Sequence, residues 1–406
     1  MRTVIVGFIF LSLLSGCFPH IQNHDSIDGQ RYVVMLSLDG FRWDYPEIYN
    51  TPVLDSIAEH GVRAEALIPC FPTKTFPNHY SIATGLYPDH HGIVNNIFYN
   101  PNVNRVYSVG DRSSVQEPRF YNGEPFWVTA AKQGIRTASY FWVGSETVIK
   151  GIQPHIWKEF DNSISFEQRI DSVIKWLQLP AEQRPALVTF YFEQPDKVGH
   201  MSGPVSPQTK IVVEKVDSLV GVFCSKKNTL SIADSIDFII VSDHGMASVS
   251  KEKAIAINDY VPKEMVKGCY GNNPFFLIEP FDMYEDSIYS MLSELEGIFV
   301  WRKDEIPDSL NYGKNENISS LVVCAKPGWS IYADSSQFVD GGTHGYSPYY
   351  SDMHGIFYGI GSSFKNDYIH EAFVNIEVYN IVCKLLNLKA VSNDGNFSMV
   401  SDIFKE

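Results

Sequence analysis

The sequence predicts an α/β protein built on a doubly wound, mostly parallel β-sheet with an inserted cap subdomain. Three short apolar runs, at residues 32–38, 186–192 and 237–242, are rich in β-branched and aromatic side chains. Runs of this kind are typical of strands that are buried on both faces of a sheet. Helical patterns lie between them, for example at residues 51–60 and 166–177. Alternating strand and helix signals indicate a doubly wound sheet.

The chain of 406 residues is long enough for one large α/β domain with an insertion. We expect the main domain to comprise residues 31–249 and 321–406. The segment 250–320 is rich in Pro, Asn and acidic residues, and none of its strand signals ends in a metal-type residue. It is therefore predicted to form the inserted cap, after which the strand pattern resumes at residues 320–325.

The beginning of the chain is predicted to be a targeting signal. Arg2 precedes an apolar run at residues 4–14 that is too short to span a bilayer. The run ends in Leu-Ser-Gly directly before Cys17, a pattern that resembles a bacterial lipobox. We expect a signal peptide at residues 1–16, lipidation of Cys17 and a polar tether over residues 17–30. The protein would then be anchored to a membrane of the bacterial cell envelope, outside the cytoplasm; an ordinary secretory peptide or an uncleaved anchor is the alternative.

The charge balance excludes general binding to nucleic-acid duplexes. The formal net charge is −15, from 32 basic and 47 acidic residues, and such a chain repels a phosphate backbone. A phosphate ester can still bind where metal ions supply local positive charge. The five cysteines beyond Cys17 show no zinc-finger spacing. The sequence carries no signature of a particular oligomeric state.

Candidate metal ligands follow the predicted strands. In doubly wound sheets, bound molecules and ions lie at the carboxyl ends of the strands. Two of the candidates are four residues apart, which places them on one face of a helical turn. Each alone is compatible with a turn or capping role, but together they predict a metal site, and a mixture of imidazole and carboxylate suits Zn²⁺. The candidates are Asp39, Asp196, His200, Asp243, His244 and His344.

The segment 72–80 contains a candidate nucleophile. Pro77 is tolerated in the first turn of a helix, which places Thr75 at or just before a helix N-terminus. Free N–H groups and the helix dipole favour a phosphate group at such a position. A neighbouring zinc ion would activate the threonine hydroxyl. Thr73 is the rival candidate, and a helix cap is the alternative role for Thr75.

Several motifs resemble, in order along the chain, the nucleotide pyrophosphatase/phosphodiesterase family of the alkaline phosphatase superfamily. The resemblance extends from about residue 31 to about residue 365. It implies an alkaline-phosphatase-like fold and hydrolysis of nucleotide phosphodiester or pyrophosphate bonds through a threonyl-phosphate intermediate. It also implies two zinc ions per chain. The motifs lie at residues 38–42, 74–80, 84–88, 91–94, 141–146, 193–200, 242–246 and 342–346.

The resemblance implies roles for individual residues. Thr75 matches the nucleophile, and Asn96 matches the side chain that supports a phosphate oxygen together with the Thr75 backbone; the neighbouring Asn95 is the alternative assignment. One zinc ion would be surrounded by Asp39, Thr75, Asp243 and His244. The ligands of the other would be Asp196, His200 and His344.

Three aromatic residues match positions that contact the nucleotide base. Phe76 and Tyr191 match two members of the stack. Phe160 matches a third, where a tyrosine is more usual. Core packing is the alternative for all three, because aromatic side chains are heavily used in protein cores.

Other functions compete with this hypothesis. Residues 70–74 resemble the sulfatase motif C-x-P-x-R, but Lys74 replaces the arginine and the His-rich ligands suit zinc rather than calcium. A lysophospholipase C-like or phosphomonoesterase activity of the same superfamily stays open, because the sequence specifies the substrate pocket poorly. An inactive surface-binding lipoprotein would be expected to have lost a ligand or the nucleophile, and all seven positions are present. The expected partners are a small nucleotide or other phosphodiester and, through Cys17, a membrane.

Overall fold

The computed structural model describes residues 29–405, and its strands and helices alternate along much of the chain. The strands are β1 (Tyr32–Leu38), β2 (Val62–Ala64), β3 (Leu67–Ile68), β4 (Ile97–Asn100), β5 (Arg105–Ser108), β6 (Thr137–Tyr140), β7 (Ile156–Lys158), β8 (Leu187–Phe192), β9 (Ile236–Val241), β10 (Ala247–Val249), β11 (Ala254–Ala256), β12 (Val266–Asn272), β13 (Phe275–Pro280), β14 (Ile298–Arg302), β15 (Leu321–Ala325), β16 (Ser330–Tyr332), β17 (Gly341–Thr343), β18 (Phe357–Ile360), β19 (Tyr368–His370) and β20 (Phe373–Val374). The α-helices are α1 (Tyr45–Ile48), α2 (Pro52–Glu59), α3 (Thr75–Thr84), α4 (Pro88–His91), α5 (Arg112–Val115), α6 (Phe126–Lys132), α7 (Phe166–Leu177), α8 (Asp196–Ser202), α9 (Pro207–Lys227), α10 (Glu285–Ser293) and α11 (Glu377–Leu385).

An eight-stranded sheet forms the centre of the main domain, in the order β19-β2-β18-β9-β1-β8-β6-β7. Neighbouring strands are parallel except at β18, which runs antiparallel to both β9 and β2. All seven residues of β1 are buried, as expected for a strand covered on both faces. The predicted mostly parallel, doubly wound sheet is therefore confirmed.

Helices cover the sheet in two packed groups. Helix α9 contacts both α2 and α7, and α11 contacts both α3 and α6. The predicted helices at residues 51–60 and 166–177 are α2 and α7. Helix α7 begins after Ser165, whose hydroxyl accepts a hydrogen bond from the Gln168 N–H in a capping box. It buries an apolar stripe that includes Ile170, Val173 and Leu177, so its sequence periodicity matches its place against the sheet.

A second, four-stranded antiparallel sheet in the order β12-β13-β15-β14 combines three strands of the predicted cap with β15, which follows it. Its strands and α10 surround an apolar cluster that includes Ile278, Ile288 and Leu321. The expectation that residues 320–325 return the chain to the large sheet is wrong, because β15 pairs with β13 and β14. A fully buried apolar strand has the same sequence pattern whichever sheet it joins. The chain rejoins the large sheet only at β18.

The predicted signal peptide and Cys17 lie outside the described residues, as does most of the tether. From residue 29 to residue 405, no helix combines the length and the apolar character needed to cross a bilayer. Arg31 forms a 2.6 Å ion pair with Asp237, where β1 and β9 begin. The described chain therefore enters the sheet at its amino edge. Cys70, Cys224, Cys269, Cys324 and Cys383 are free thiols.

Candidate active site

Three adjacent parallel strands carry the predicted acidic ligands at their carboxyl ends. Asp39 directly follows β1, Asp243 comes two residues after β9, and Asp196 begins α8 after β8. Because β8, β1 and β9 are neighbours in the sheet, the three carboxylates meet at one edge. The structure thus brings together side chains that are up to about 200 positions apart in the sequence.

The first cluster consists of Asp39, Asp243 and His244, whose ligand atoms all lie within 4.8 Å of one another. His244 Nε2 is 3.3 Å from Asp39 Oδ1 and 3.1 Å from Asp243 Oδ2. Burial, followed by the charges of Asp243 and Asp196, raises the pKa of Asp39 well above its ordinary value. A bound cation would remove this unfavourable crowding of buried carboxylates.

The second cluster consists of Asp196, His200 and His344. Asp196 Oδ1 is 3.3 Å from His200 Nε2 and 3.5 Å from His344 Nε2. Asp196 and His200 share one face of α8, as their spacing predicts. Burial, followed by the proximity of His244, lowers the pKa of His344 well below its ordinary value, so this imidazole is neutral. The two clusters are neighbours, since the His244 and His344 rings stack with centroids 3.4 Å apart.

Backbone carbonyls orient the three histidines. The Nδ1 atoms of His200, His244 and His344 each lie 2.8 Å from a carbonyl oxygen, of Gly342, Gly245 and Thr73 respectively. A carbonyl oxygen only accepts hydrogen bonds, so Nδ1 carries the proton and Nε2 keeps a lone pair in the neutral ring. All three Nε2 atoms face the carboxylates. This is the arrangement of histidines that bind metal through Nε2.

The acidic side chains also fit a metal, because they leave buried oxygen atoms unpaired. Asp39 Oδ1, Asp196 Oδ1 and Asp243 Oδ2 accept no hydrogen bond from the described residues. Buried polar atoms without partners are costly and therefore rare. The donor set of histidine nitrogen and carboxylate oxygen suits zinc. The residues present therefore fit the two metal positions that the sequence predicts.

Thr75 is the hydroxyl residue at the first cluster. Its Oγ1 is 3.1 Å from His244 Nε2. Thr75 is also the first residue of α3. The rival Thr73 has a different task, since its Oγ1 donates to the Tyr346 carbonyl and accepts from the Gly345 N–H. Cys70 of the sulfatase-like segment is buried, and its thiol donates to Asn375 Oδ1. Burial raises the pKa of that thiol to about 12, so the thiol is not ionised near neutral pH.

Asn96 lies against the start of α3. Its Oδ1 accepts a 3.0 Å hydrogen bond from the Phe76 N–H, so the donor side of its amide is Nδ2. The alternative residue, Asn95, is fully buried and uses its Oδ1 to accept from the Asn96 N–H. Asn95 therefore supports Asn96, and Asn96 is the amide next to Thr75.

An aromatic cavity of about 160 Å³ opens beside Thr75. All three predicted base-contacting residues line it, and Phe160 is 37% exposed, which rules out simple core packing. A charged pair also faces this cavity, formed by Arg112 and the buried carboxylate of Glu146. The principal walls of the cavity are formed by Thr75, Phe76, Phe141, Trp142, Phe160 and Tyr191.

Sequence reasoning missed several residues of the site. Phe141, Trp142 and Glu146 belong to one of the motifs, but no role was assigned to them. They follow β6, whose carboxyl end lies at the same edge of the sheet as Asp39 and Asp196. Their position after a strand is the feature of the sequence that could have identified them. His79 was also missed, although it lies one helical turn after Thr75. Its Nδ1 is 2.9 Å from the Thr75 carbonyl oxygen and 3.3 Å from Asp243 Oδ2.

Comparisons with known proteins agree with this geometry. Residues 33–347 match the family model of type I phosphodiesterase/nucleotide pyrophosphatase. The chain is 36% identical over 390 residues to human ectonucleotide pyrophosphatase/phosphodiesterase family member 1, covering 92% of this chain and 42% of that protein. It is 33% identical over 396 residues to venom phosphodiesterase CdcPDE of Crotalus durissus collilineatus, covering 93% and 47%. The chain thus spans less than half the length of these curated relatives.

Solved structures extend the similarity to the fold. An inactive Thr-to-Ala variant of murine ectonucleotide pyrophosphatase/phosphodiesterase 5, in complex with AMP, superposes with a TM-score of 0.89 at 31% identity. The match covers 93% of this chain and all of that one. The human protein of the same name matches with a TM-score of 0.89 at 30% identity, again over 93% of this chain and all of the other.

Proposed function

Because the chain belongs to the type I phosphodiesterase/nucleotide pyrophosphatase family, we propose that it hydrolyses phosphodiester or pyrophosphate bonds of nucleotides. The observation that carries this proposal is the position of Thr75. Its hydroxyl lies against the Asp39/Asp243/His244 cluster, and the same residue lines the aromatic cavity. A nucleoside held in the cavity would therefore have its phosphate beside the hydroxyl.

Two zinc ions are the proposed cofactors. Zinc bound at these clusters would supply Lewis-acid activation of the Thr75 hydroxyl and neutralise charge on the phosphate. The first would be held by Asp39, Thr75, Asp243 and His244, and the second by Asp196, His200 and His344.

The chain's own groups account for an in-line double displacement. Thr75 Oγ1 gives its proton to solvent water and forms a bond to phosphorus, while the bond from phosphorus to the leaving oxygen breaks. Water then loses a proton to solvent as it attacks the threonyl phosphate from the side opposite Oγ1. The bond between Oγ1 and phosphorus breaks, and Oγ1 takes up a proton from solvent, which restores Thr75. Asn96 Nδ2 and the N-terminus of α3 stabilise the charge that develops on the phosphate oxygens.

The cavity favours a nucleobase over the headgroup of a choline lipid. Its aromatic walls offer stacking surfaces, and Arg112 and Glu146 offer a donor and an acceptor for the polar edge of a base. A quaternary ammonium group has no hydrogen-bond donor or acceptor, so it could not use the polar groups of Arg112 and Glu146 in this way. The charged pair therefore supports nucleotides as the substrate class.

We also propose that lipidation of Cys17 anchors the protein to a membrane outside the cytoplasm. The described chain enters at Arg31, at the amino edge of the sheet, whereas Asp39 lies at the opposite end of β1. An anchor on that side leaves the site open to soluble substrates. Fatty-acid labelling of the full chain produced in bacterial cells tests this proposal: label should enter the wild type and be absent from Cys17→Ala. Equal labelling of both would overturn it.

The activity is tested on a zinc-loaded soluble variant that lacks residues 1–17. We expect kcat/KM to be highest for p-nitrophenyl thymidine monophosphate among that ester, p-nitrophenyl phosphate, p-nitrophenyl phosphorylcholine and p-nitrophenyl sulfate. A preference for p-nitrophenyl phosphorylcholine would indicate that the same chemistry acts on lipid substrates. A preference for p-nitrophenyl phosphate would indicate a phosphomonoesterase. Absence of turnover with zinc bound would support an inactive binding protein.

A further inference from the structure

Phe141 has a strained backbone in the wall of the aromatic cavity. It follows β6 directly, is almost fully buried and has φ of +75°. A bulky residue in the left-handed region pays a steric cost, and such conformations persist only where the surrounding structure holds them in place. The Phe141 ring also supports Phe160, since the two rings pack edge to face with centroids 5.1 Å apart.

The guanidinium of Arg169, on α7, is the group that holds Phe141. The Arg169 side chain is completely buried, and its Cζ lies 5.0 Å from the ring centroid of Phe141 and 4.9 Å from that of Phe166. A buried cation between two aromatic faces gains a cation–π interaction with each ring. Arg169 therefore clamps the strained residue from behind the cavity.

The same guanidinium holds a second wall. Arg169 Nη1 donates a 2.9 Å hydrogen bond to the Tyr191 carbonyl and a 2.6 Å hydrogen bond to Glu193 Oε2. Its Nη2 donates to Glu193 Oε1 at 3.2 Å, so the ion pair with Glu193 is bidentate. Pairing of this kind is what makes a buried charge tolerable.

Phe141 and Tyr191 occupy equivalent positions on neighbouring strands. Tyr140 of β6 is in register with Phe190 of β8. Phe141 directly follows Tyr140, and Tyr191 directly follows Phe190. The two residues therefore project from adjacent strands at the edge where the cavity opens. One side chain from a helix behind the sheet contacts both of them, and this is the juxtaposition that carries the inference.

We propose that Arg169 is a positioning residue that sets the preference for substrates containing a nucleobase, by holding Phe141 and Tyr191 at the spacing of the aromatic cavity. The inference rests on the proposed function, because it concerns the substrate class of the same site. Arg169 touches neither the metal clusters nor Thr75. Its loss should therefore act on the base-binding part of the substrate more than on the phosphate.

The test compares a substrate with a base and one without. In zinc-loaded wild type and Arg169→Met, kcat/KM is measured for p-nitrophenyl thymidine monophosphate and for bis(p-nitrophenyl) phosphate. The ratio of the two values should fall by about tenfold or more in Arg169→Met, mainly through KM for the nucleotide. Arg169→Lys should lose most of the preference as well, because an ammonium group cannot form the bidentate, stacked arrangement. A purely structural role would lower both values equally and leave the ratio unchanged.

Arg184 provides a matched control. It is also buried, and its guanidinium lies 5.6 Å from the ring centroid of Tyr32, at the amino edge of the sheet. Arg184→Met should leave the substrate ratio unchanged, whatever its effect on stability. If Arg169→Met does not fold, Glu193→Gln replaces it, because this change weakens the ion pair that holds Arg169 while keeping the side-chain shape. Glu193→Gln should also lower the ratio. An unchanged ratio in Arg169→Met or, failing that, in Glu193→Gln overturns the inference.

Binding separates this inference from the proposed function. AMP and ribose 5-phosphate are titrated into the zinc-loaded wild type and Arg169→Met, which requires no turnover. A wild type that binds AMP more tightly than ribose 5-phosphate but hydrolyses no diester would overturn the proposed reaction; a lost preference in Arg169→Met would still support the inference. A wild type that hydrolyses diesters without any preference for a base would overturn the inference alone.

Discussion

The hydroxyl of Tyr191 donates a 2.5 Å hydrogen bond to Oδ2 of Asp39. Tyr191 is a wall of the aromatic cavity, and Asp39 is a carboxylate of the first metal cluster. Burial, followed by the charge of Asp39, raises the pKa of Tyr191 well above its ordinary value, so the hydroxyl remains a donor. One residue thus joins the surface proposed to hold the base to the centre proposed to perform the chemistry.

This relationship predicts that the ring and the hydroxyl of Tyr191 have separable effects. Tyr191→Phe keeps the stacking surface and frees one oxygen of Asp39. We expect kcat or zinc affinity to fall by about tenfold, with little change in KM for a nucleotide diester, because partners of metal ligands typically contribute this much. Tyr191→Leu, the comparison variant, should raise KM as well. Identical kinetic profiles for the two variants would show that the hydroxyl has no role of its own.

Thr75→Ala should abolish turnover without loss of metal. Removing a nucleophile costs at least about 1,000-fold in kcat, whereas the acidic and histidine ligands remain in place. Metal content is checked by elemental analysis of the purified variant. Thr73→Ser is the control, since it keeps the hydroxyl that contacts Tyr346 and Gly345 and should retain activity. Substantial activity in Thr75→Ala would remove Thr75 as the nucleophile.

His200→Ala and His344→Ala should each reduce zinc content by about one ion per chain, because a three-ligand site cannot hold zinc firmly with two. The melting temperature in excess zinc should fall with it, since metal bound to the native state stabilises that state. His90→Ala is the matched control, because the His90 side chain is exposed and pairs with Asp394 outside both clusters. Unchanged zinc stoichiometry in the first two variants would exclude these histidines as ligands.

Phe160→Ala should affect binding more than stability. Stacking on an aromatic side chain makes a substantial contribution for each base, so KM for a nucleotide diester should rise roughly tenfold. The side chain is 37% exposed, and the free energy of unfolding should drop by less than about 1 kcal/mol. Steady-state kinetics and denaturant unfolding provide the two values. A large loss of stability with unchanged KM would assign Phe160 to the core instead.

Much of the site was predictable because parallel strands end at one edge of a sheet. Asp39 and Asp243 could be recognised as neighbours from the strand patterns that precede them, and His200 from its helical spacing to Asp196. The same local logic failed at β15, because an apolar strand does not encode which sheet it joins. Local sequence patterns could not predict the role of Arg169 either, because nothing near this residue in the sequence indicates that its guanidinium contacts two distant strand ends.

The sequence by itself determined the fold class, the strand-end carboxylates and histidines, and the family to which the motifs point. Periodicity and short motifs are local properties, and local patterns are sufficient for those conclusions. Only the tertiary structure shows that Thr73 and Thr75 have different partners, because both hydroxyls precede or begin the same helix. Contacts with Tyr346 and Gly345 occupy Thr73, whereas Thr75 faces His244. Which hydroxyl is free to react depends on partners about 170 to 270 positions away, and folding alone brings them into contact.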